Sequence, residues 1–146
     1  MNLSSVATLA SGHPMSKVSR RAGSVALWAV TVATALGIGS AGLSKLLTTG
    51  EWDRLFQAWG YPLWFMVTIG CVEVMGAAAL LVRRFAAAAA LVLAAVMLGA
   101  AGTLIAHPGS HFFRGRQAPM SPATPLVWVV LLSVIGIARW RQMRKQ

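Results

Sequence analysis

The chain has 146 residues, of which 57% are hydrophobic and only 11% are charged, and its formal net charge is +10. This composition is too apolar for an ordinary soluble domain and indicates an integral membrane protein. The basic residues fall in flanks and loops between apolar segments rather than on one helical face, so the charge does not indicate nucleic-acid binding.

Four apolar segments are long enough to cross a bilayer, for which a helix needs about 20 residues. They are residues 24–47, 63–82, 85–106 and 122–140. This pattern predicts an all-α protein, an integral membrane four-helix bundle formed by residues 23–140. A flexible basic N-terminal tail is predicted at residues 1–22, and a basic C-terminal tail at residues 141–146.

The fourth segment is the least regular, because Pro122 and Pro125 stand at its start. Proline is tolerated in the first turn of a helix, so neither residue excludes a span. Trp128, Trp140 and Arg139 are residue types that anchor helix ends at the membrane surfaces. We therefore count this segment as the fourth span.

The basic residues are unequally divided between the two sides that this arrangement creates. One side carries nine of them: Lys17, Arg20, Arg21, Arg83, Arg84, Arg139, Arg141, Arg144 and Lys145. The other side carries four, together with Glu51 and Asp53: Lys45, Arg54, Arg114 and Arg116. Because loops rich in Lys and Arg stay in the cytoplasm, both termini are predicted to be cytoplasmic.

The three connections differ in character. In the first, Trp52, Leu55, Phe56 and Trp59 follow helical spacing, which predicts a short amphipathic helix with its apolar face at the outer membrane interface. The second consists of little more than two arginines, so the second and third spans are predicted to form a tight antiparallel hairpin. The third, residues 107–121, contains Pro and Gly and is predicted to be an irregular outer loop.

Glycines in the first span form a pattern that resembles a nucleotide-binding motif. Gly37, Gly39 and Gly42 fit GxGxxG, but no strand precedes them and they lie within an apolar helix. Small residues of this kind let membrane helices approach closely. We interpret the motif as a packing face and not as a nucleotide site.

Glu73 is the one acidic residue inside the apolar spans. A carboxylate at the bilayer centre costs roughly 2.5–3.5 kcal/mol, so such residues normally face a bundle interior, a partner or a cavity. Glu73 lies about 15 Å along its helix from Leu63, close to the midplane. Two interpretations remain open: a hydrogen-bond hub that fixes helix register, or a proton or ligand site.

Four residues are candidate partners of Glu73 in an intramembrane polar site. Counted from the helix ends, Lys45 lies about 12 Å nearer the outer surface, so a direct salt bridge needs extended side chains or a water. Ser40 and Thr103 are closer in depth and are predicted to be its first partners. His107, at the outer end of the third span, is expected to join Lys45 in a polar outer pocket.

Redox and metal chemistry find little support in this sequence. Cys71 is the single cysteine, which excludes an intramolecular disulfide and a CxxC redox pair. His107 and His111 are four residues apart, but Pro108 and Gly109 separate them and no third ligand is near, so no metal site is predicted. No cofactor motif or bis-histidine haem site is present, and the chain is not expected to be an enzyme by itself.

Four short motifs resemble the DoxX-like family of small membrane proteins: AGLSKL at 41–46, WGYP at 59–62, GCVEVMGA at 70–77 and MLGA at 97–100. Their order also matches, and the resemblance covers residues 41–107 well and the fourth span by hydropathy alone. It implies a four-helix bundle in a bacterial inner membrane. It also implies that Lys45 and Glu73 occupy the family's recurring polar positions.

Three functional hypotheses follow from the resemblance together with the four spans and their single acid. The first is a non-enzymatic subunit or accessory protein whose Glu73-centred site faces a quinone, a lipid or a partner helix, with a membrane-protein partner or a second copy of the chain. The second is a small proton-coupled transporter, although the acid of small multidrug transporters lies on the first helix. The third is the membrane subunit of a thiosulfate:quinone oxidoreductase-type complex, with Lys45, His107 and Arg114 attracting an anionic substrate.

Overall fold

The computed structural model describes residues 15–47, 50–108, 111–113, 116–118 and 121–144. Over these ranges the chain forms five helices and one two-stranded sheet. The helices are α1 (Met15–Leu47), α2 (Glu51–Ala58), α3 (Leu63–Leu81), α4 (Ala86–Ala106) and α5 (Ala123–Met143), and the strands are β1 (His111–Phe113) and β2 (Arg116–Ala118).

Four of the described helices are long and apolar enough to cross a membrane. These spans are Ala22–Leu47, Leu63–Leu81, Ala86–Ala106 and Ala123–Met143. The predicted four-helix membrane bundle is thus confirmed. Two boundaries differ from the prediction by more than one residue, because α1 begins at Met15 and α5 continues to Met143, so the inner part of each predicted tail is helical. The rest of the N-terminal tail, residues 1–14, lies outside the described residues.

The chain divides after Val30 into two compact units. In the first, the described residues form the beginning of α1, where Val25, Trp28 and Val30 are exposed. Exposed apolar side chains suit a segment surrounded by lipid. The second unit contains the rest of α1 and all the other elements, and the candidate site lies within it.

The glycines of α1 bring neighbouring helices into close contact. A Cβ at Gly42 would lie 2.7 Å from the Cβ of Glu73 on α3, and a Cβ at Gly37 would lie 2.5 Å from the Trp128 ring on α5. Both distances are shorter than any ordinary carbon–carbon contact, so only glycine fits at these positions without a rearrangement. The predicted packing face is therefore confirmed.

The second unit has an apolar interior and an apolar exterior. Its most buried large side chains are Ile38, Leu80, Leu93, Leu132 and Ile135. On the outside, Leu36, Met75, Leu91 and Ile105 are strongly exposed. Because lipid tails are as apolar as these side chains, an exterior of this kind is stable in a bilayer and not in water.

The predicted amphipathic helix is present as α2, but its apolar face is covered by protein. Trp52, Leu55 and Phe56 are buried in a cluster with Met66 at the start of α3. The helix begins after Gly50, whose N–H donates to Asp53 Oδ2 at 3.2 Å. The face therefore packs on the protein rather than on the outer membrane interface, where the sequence placed it.

The connection after α4 contains a β-hairpin where the sequence predicted an irregular loop. β1 pairs antiparallel with β2, with His111 opposite Ala118 and Phe113 opposite Arg116. β1 also contacts α2. Strands of three residues are too short to produce a recognisable alternation in the sequence, so the prediction of an irregular loop was wrong here.

Candidate functional site: a buried ion pair in a membrane cavity

Lys45 and Glu73 form a buried salt bridge between α1 and α3. The Lys45 Nζ atom lies 2.7 Å from Glu73 Oε2, and the two side chains are 9% and 4% exposed. Lys45 Nζ also lies 3.5 Å from the carbonyl oxygen of Ala41 and 4.7 Å from the centroid of the Trp52 ring. The ammonium group is therefore held by a carboxylate, a carbonyl and an aromatic face.

The packing of Gly42 explains why this salt bridge forms. Gly42 lies against Glu73 itself, with its carbonyl oxygen near Gly70. Lys45 follows Gly42 by three residues, which is a rise of about 4.5 Å along the helix. An extended lysine side chain spans that distance easily. The sequence predicted that Lys45 lies about 12 Å nearer the outer surface than Glu73. That prediction was wrong because counting from the helix ends assumes that the end of α1 and the start of α3 are at the same depth.

Ser40 and Thr103 are not the first partners of Glu73, contrary to the sequence prediction. The Ser40 hydroxyl donates to the carbonyl oxygen of Gly37 at 2.9 Å. The Thr103 hydroxyl donates to the carbonyl oxygen of Gly99 at 3.1 Å and lies 3.1 Å from the Tyr61 hydroxyl. Both hydroxyls thus bond to groups other than the carboxylate, which Lys45 reaches first.

A cavity of about 760 Å³ opens beside the ion pair. Three of the predicted polar residues line it: Lys45, Glu73 and Thr103. Six aromatic side chains also line it, namely Trp52, Phe56, Trp59, Tyr61, Phe65 and Trp128. A mostly apolar cavity of several hundred Å³ with a few convergent polar groups has the properties of a small-molecule site.

His107 and Ser40 are not among the residues that line this cavity. The His107 ring lies next to the Trp59 ring, with 6.4 Å between the two centroids. Its Nδ1 atom lies 3.1 Å from the carbonyl oxygen of Thr103. His107 therefore contacts the Trp59 wall of the cavity that contains Lys45 but is not itself part of the lining. The third outer residue proposed from the sequence, Arg114, lies outside the described residues.

Most of the aromatic lining could not be recognised from the sequence. Trp128 was interpreted as an anchor at a membrane surface, but it packs against Gly37 and faces the cavity. The sequence did contain a signal for this contact, namely a large aromatic residue on one apolar helix and a glycine on another, which can pack together. Residues of α2 were missed because an amphipathic helix next to a span can pack on either lipid or protein.

The polar groups of the site provide hydrogen bonding in an apolar environment. Among the described residues, the structure gives Glu73 Oε2 a partner but Oε1 none, and a carboxylate oxygen accepts up to two hydrogen bonds. An ammonium group has three donors, so Lys45 has a donor beyond the carboxylate and the carbonyl of Ala41. The pair can therefore both donate to and accept from a bound molecule.

Metal-binding groups of three or more His, Cys, Asp or Glu are absent from the part of the chain that the structure describes. Cys71 is a free cysteine on the exposed surface of α3. The side chain of His111, half of the histidine pair considered from the sequence, lies outside that part.

Four apolar spans and an intramembrane ion pair define a multi-pass membrane protein that resides in a lipid bilayer. Residues 29–135 match the family model of the DoxX-like family. The chain therefore belongs to the DoxX-like family, in agreement with the resemblance of its sequence motifs. No curated protein and no solved structure gives a match to the chain.

Proposed function

We propose that this protein is a non-enzymatic membrane subunit or accessory protein that binds an amphiphilic, membrane-soluble molecule in the cavity. The observation that carries the proposal is the buried Lys45–Glu73 ion pair in the wall of a cavity of about 760 Å³. A buried ion pair is a poor source of stability, because desolvation offsets most of the attraction between the charges. Ionisable groups in membrane spans are therefore functional candidates by default.

The chemistry of the cavity wall favours a flat head group with both hydrogen-bond donors and acceptors, such as that of an isoprenoid quinone or quinol. Lys45 would donate to a carbonyl oxygen of the head group, and Glu73 Oε1 would accept from a hydroxyl group. The aromatic rings supply flat apolar surfaces of the kind on which another ring stacks. When bound, a quinone supplies two-electron redox chemistry that a partner protein would use.

The cellular setting belongs to the same proposal. The division of nine basic residues on one side and four on the other supports cytoplasmic termini in a bacterial inner membrane. The exposed apolar faces of the spans suit contact with lipid, with a partner membrane protein or with a second copy of the chain. The transporter and the thiosulfate:quinone oxidoreductase-type subunit stay alternative predictions.

A pair of glycine substitutions on α4 tests the proposal without altering the ion pair. Gly99 lines the cavity, and a Cβ built there meets no atom within 4 Å. Gly99→Leu therefore places a side chain in open space at the cavity wall. Gly102 is equally unobstructed but does not line the cavity, so Gly102→Leu is the matched control. Both changes replace glycine by a better helix former.

The measurement is mass spectrometry of quinones, lipids and proteins that co-purify with each variant in mild detergent. We expect one specific small molecule to be present with wild type and Gly102→Leu and to be lost from Gly99→Leu. It should also be lost from Glu73→Gln, which keeps the shape of the side chain but removes its charge. The same molecule in all samples at equal amounts would refute binding in this cavity.

A further inference from the structure

Arginines precede the start of α4 and occupy the end of α5, and these two helix ends lie close together. A Cβ at Gly136 on α5 would lie 3.4 Å from the Cβ of Ala90 on α4, so the two helices touch there. Arg139 is one turn beyond Gly136, and Ala86, where α4 starts, is about one turn before Ala90. Arg83 lies three residues before Ala86, so it belongs to the same end of this helix pair as Arg139.

Arg139 is buried, and its hydrogen bonding is incomplete. Arg139 is only 4% exposed. Its Nη1 atom donates to Gln142 Oε1 at 3.2 Å, while its Nε atom is buried and has no hydrogen-bond partner among the described residues. A buried, incompletely paired guanidinium is costly.

None of the three acidic side chains lies at this end of the helices. The sequence has three acidic residues, and Glu73 is already paired with Lys45. Glu51 and Asp53 belong to α2, which packs at the start of α3. The arginines follow the other end of α3, which is 19 residues or about 28 Å long. The acidic side chains therefore leave these arginines to an anionic group of another kind.

We propose that Arg83 and Arg139, here called the arginine site, bind the phosphate group of an anionic phospholipid. Guanidinium groups match phosphate oxygens with two parallel hydrogen bonds, and basic pockets between membrane helices bind anionic head groups. Arg139 Nε provides a donor inside the protein, and Arg83 provides exposed positive charge.

The surroundings of the arginine site are those of a membrane surface. Arg84 lies 4.4 Å from the centroid of the Phe85 ring, and Arg144 lies 5.5 Å from that of Trp140. Both rings are exposed, as is typical of aromatic residues at the level of lipid head groups. Exposed apolar side chains on the adjoining helices offer a surface for the acyl chains. Neither Arg83 nor Arg139 lines the cavity that contains Lys45 and Glu73.

The test is a thermal-unfolding titration of the purified full chain in detergent with three additives: phosphatidylglycerol, phosphatidylcholine and inorganic phosphate. We expect phosphatidylglycerol to raise the Tm of wild type and the other two to leave it unchanged. For Arg83→Gln, the phosphatidylglycerol concentration that gives half of the effect should rise about fivefold, which corresponds to about 1 kcal/mol per basic residue near an anionic surface. The matched control is Arg54→Gln, which removes an exposed arginine of α2.

Each alternative has its own outcome. A rise in Tm with inorganic phosphate alone would overturn the lipid assignment in favour of a free-anion site. Equal losses in Arg83→Gln and Arg54→Gln would overturn the site in favour of general charge attraction. Arg139→Lys keeps the charge but loses the forked donors, and it should also weaken the response. Gly99→Leu should respond as wild type does, so a failure of the cavity proposal is distinguishable from a failure of this one.

Discussion

Removing one member of the Lys45–Glu73 pair should destabilise the protein more than removing both. In Lys45→Met, a carboxylate that is 4% exposed loses the cation 2.7 Å away. An unpaired buried charge costs about 3–5 kcal/mol, whereas the replacement of a whole buried pair by apolar groups is often neutral. Ordinary hydrogen bonds between membrane helices contribute only about 0.6 kcal/mol, so a loss of about 3 kcal/mol would identify a charge effect.

The assay is a double-mutant cycle of Lys45→Met, Glu73→Met and the double variant. The free energy of unfolding would be measured by denaturant titration in mixed micelles, with helicity followed by circular dichroism. We expect each single variant to lose about 3 kcal/mol and the double variant to lie within about 1 kcal/mol of wild type. Arg54→Met, at an exposed position, should change stability by no more than about 0.5 kcal/mol. Single losses below about 1 kcal/mol that simply add would refute the reasoning.

Three further substitutions test the packing around the cavity by the same titration. Gly42→Ala places a Cβ 2.7 Å from that of Glu73 and should cost about 1–3 kcal/mol, so wild-type stability would contradict the close contact. Gly99→Ala meets no atom within 4 Å and should gain up to about 1 kcal/mol from helix propensity, and a clear loss would contradict the open space there. Tyr61→Phe removes the 3.1 Å contact with the Thr103 hydroxyl and should cost about 1 kcal/mol. An unchanged stability would show that this hydrogen bond contributes nothing.

The spans could be predicted from the sequence because a helix that crosses lipid must meet two simple requirements. Each crossing helix must satisfy its own backbone and present apolar side chains over about 20 residues. The glycine face was predictable for a related reason, since membrane helices pack closely through small residues. The helix boundaries were less certain, because polar residues near Met15 and Met143 can continue a helix into water or end it.

The relative height of neighbouring helices could not be predicted. The residues of α1 that meet Glu73 depend on where Gly42 fits against α3, and counting from the helix ends contains no information about that contact. The cavity was hidden for the same reason, because its wall combines α1, α2, α3, α4 and α5. A long-range arrangement of this kind depends on side-chain shapes and not on periodicity.

The sequence left Glu73 with two interpretations, a hub that fixes helix register or a ligand site, and the structure gives each a different signature. A hub depends on the ion pair alone, so Gly99→Leu should leave it intact, while Lys45→Met and Glu73→Met should lower stability in every preparation. A ligand site depends on the cavity as well. Any stability that a bound molecule adds grows with its concentration relative to its Kd, so it should vanish in Gly99→Leu and in ligand-free protein. A stability difference between Gly99→Leu and Gly102→Leu that disappears after delipidation would therefore assign Glu73 to a ligand site.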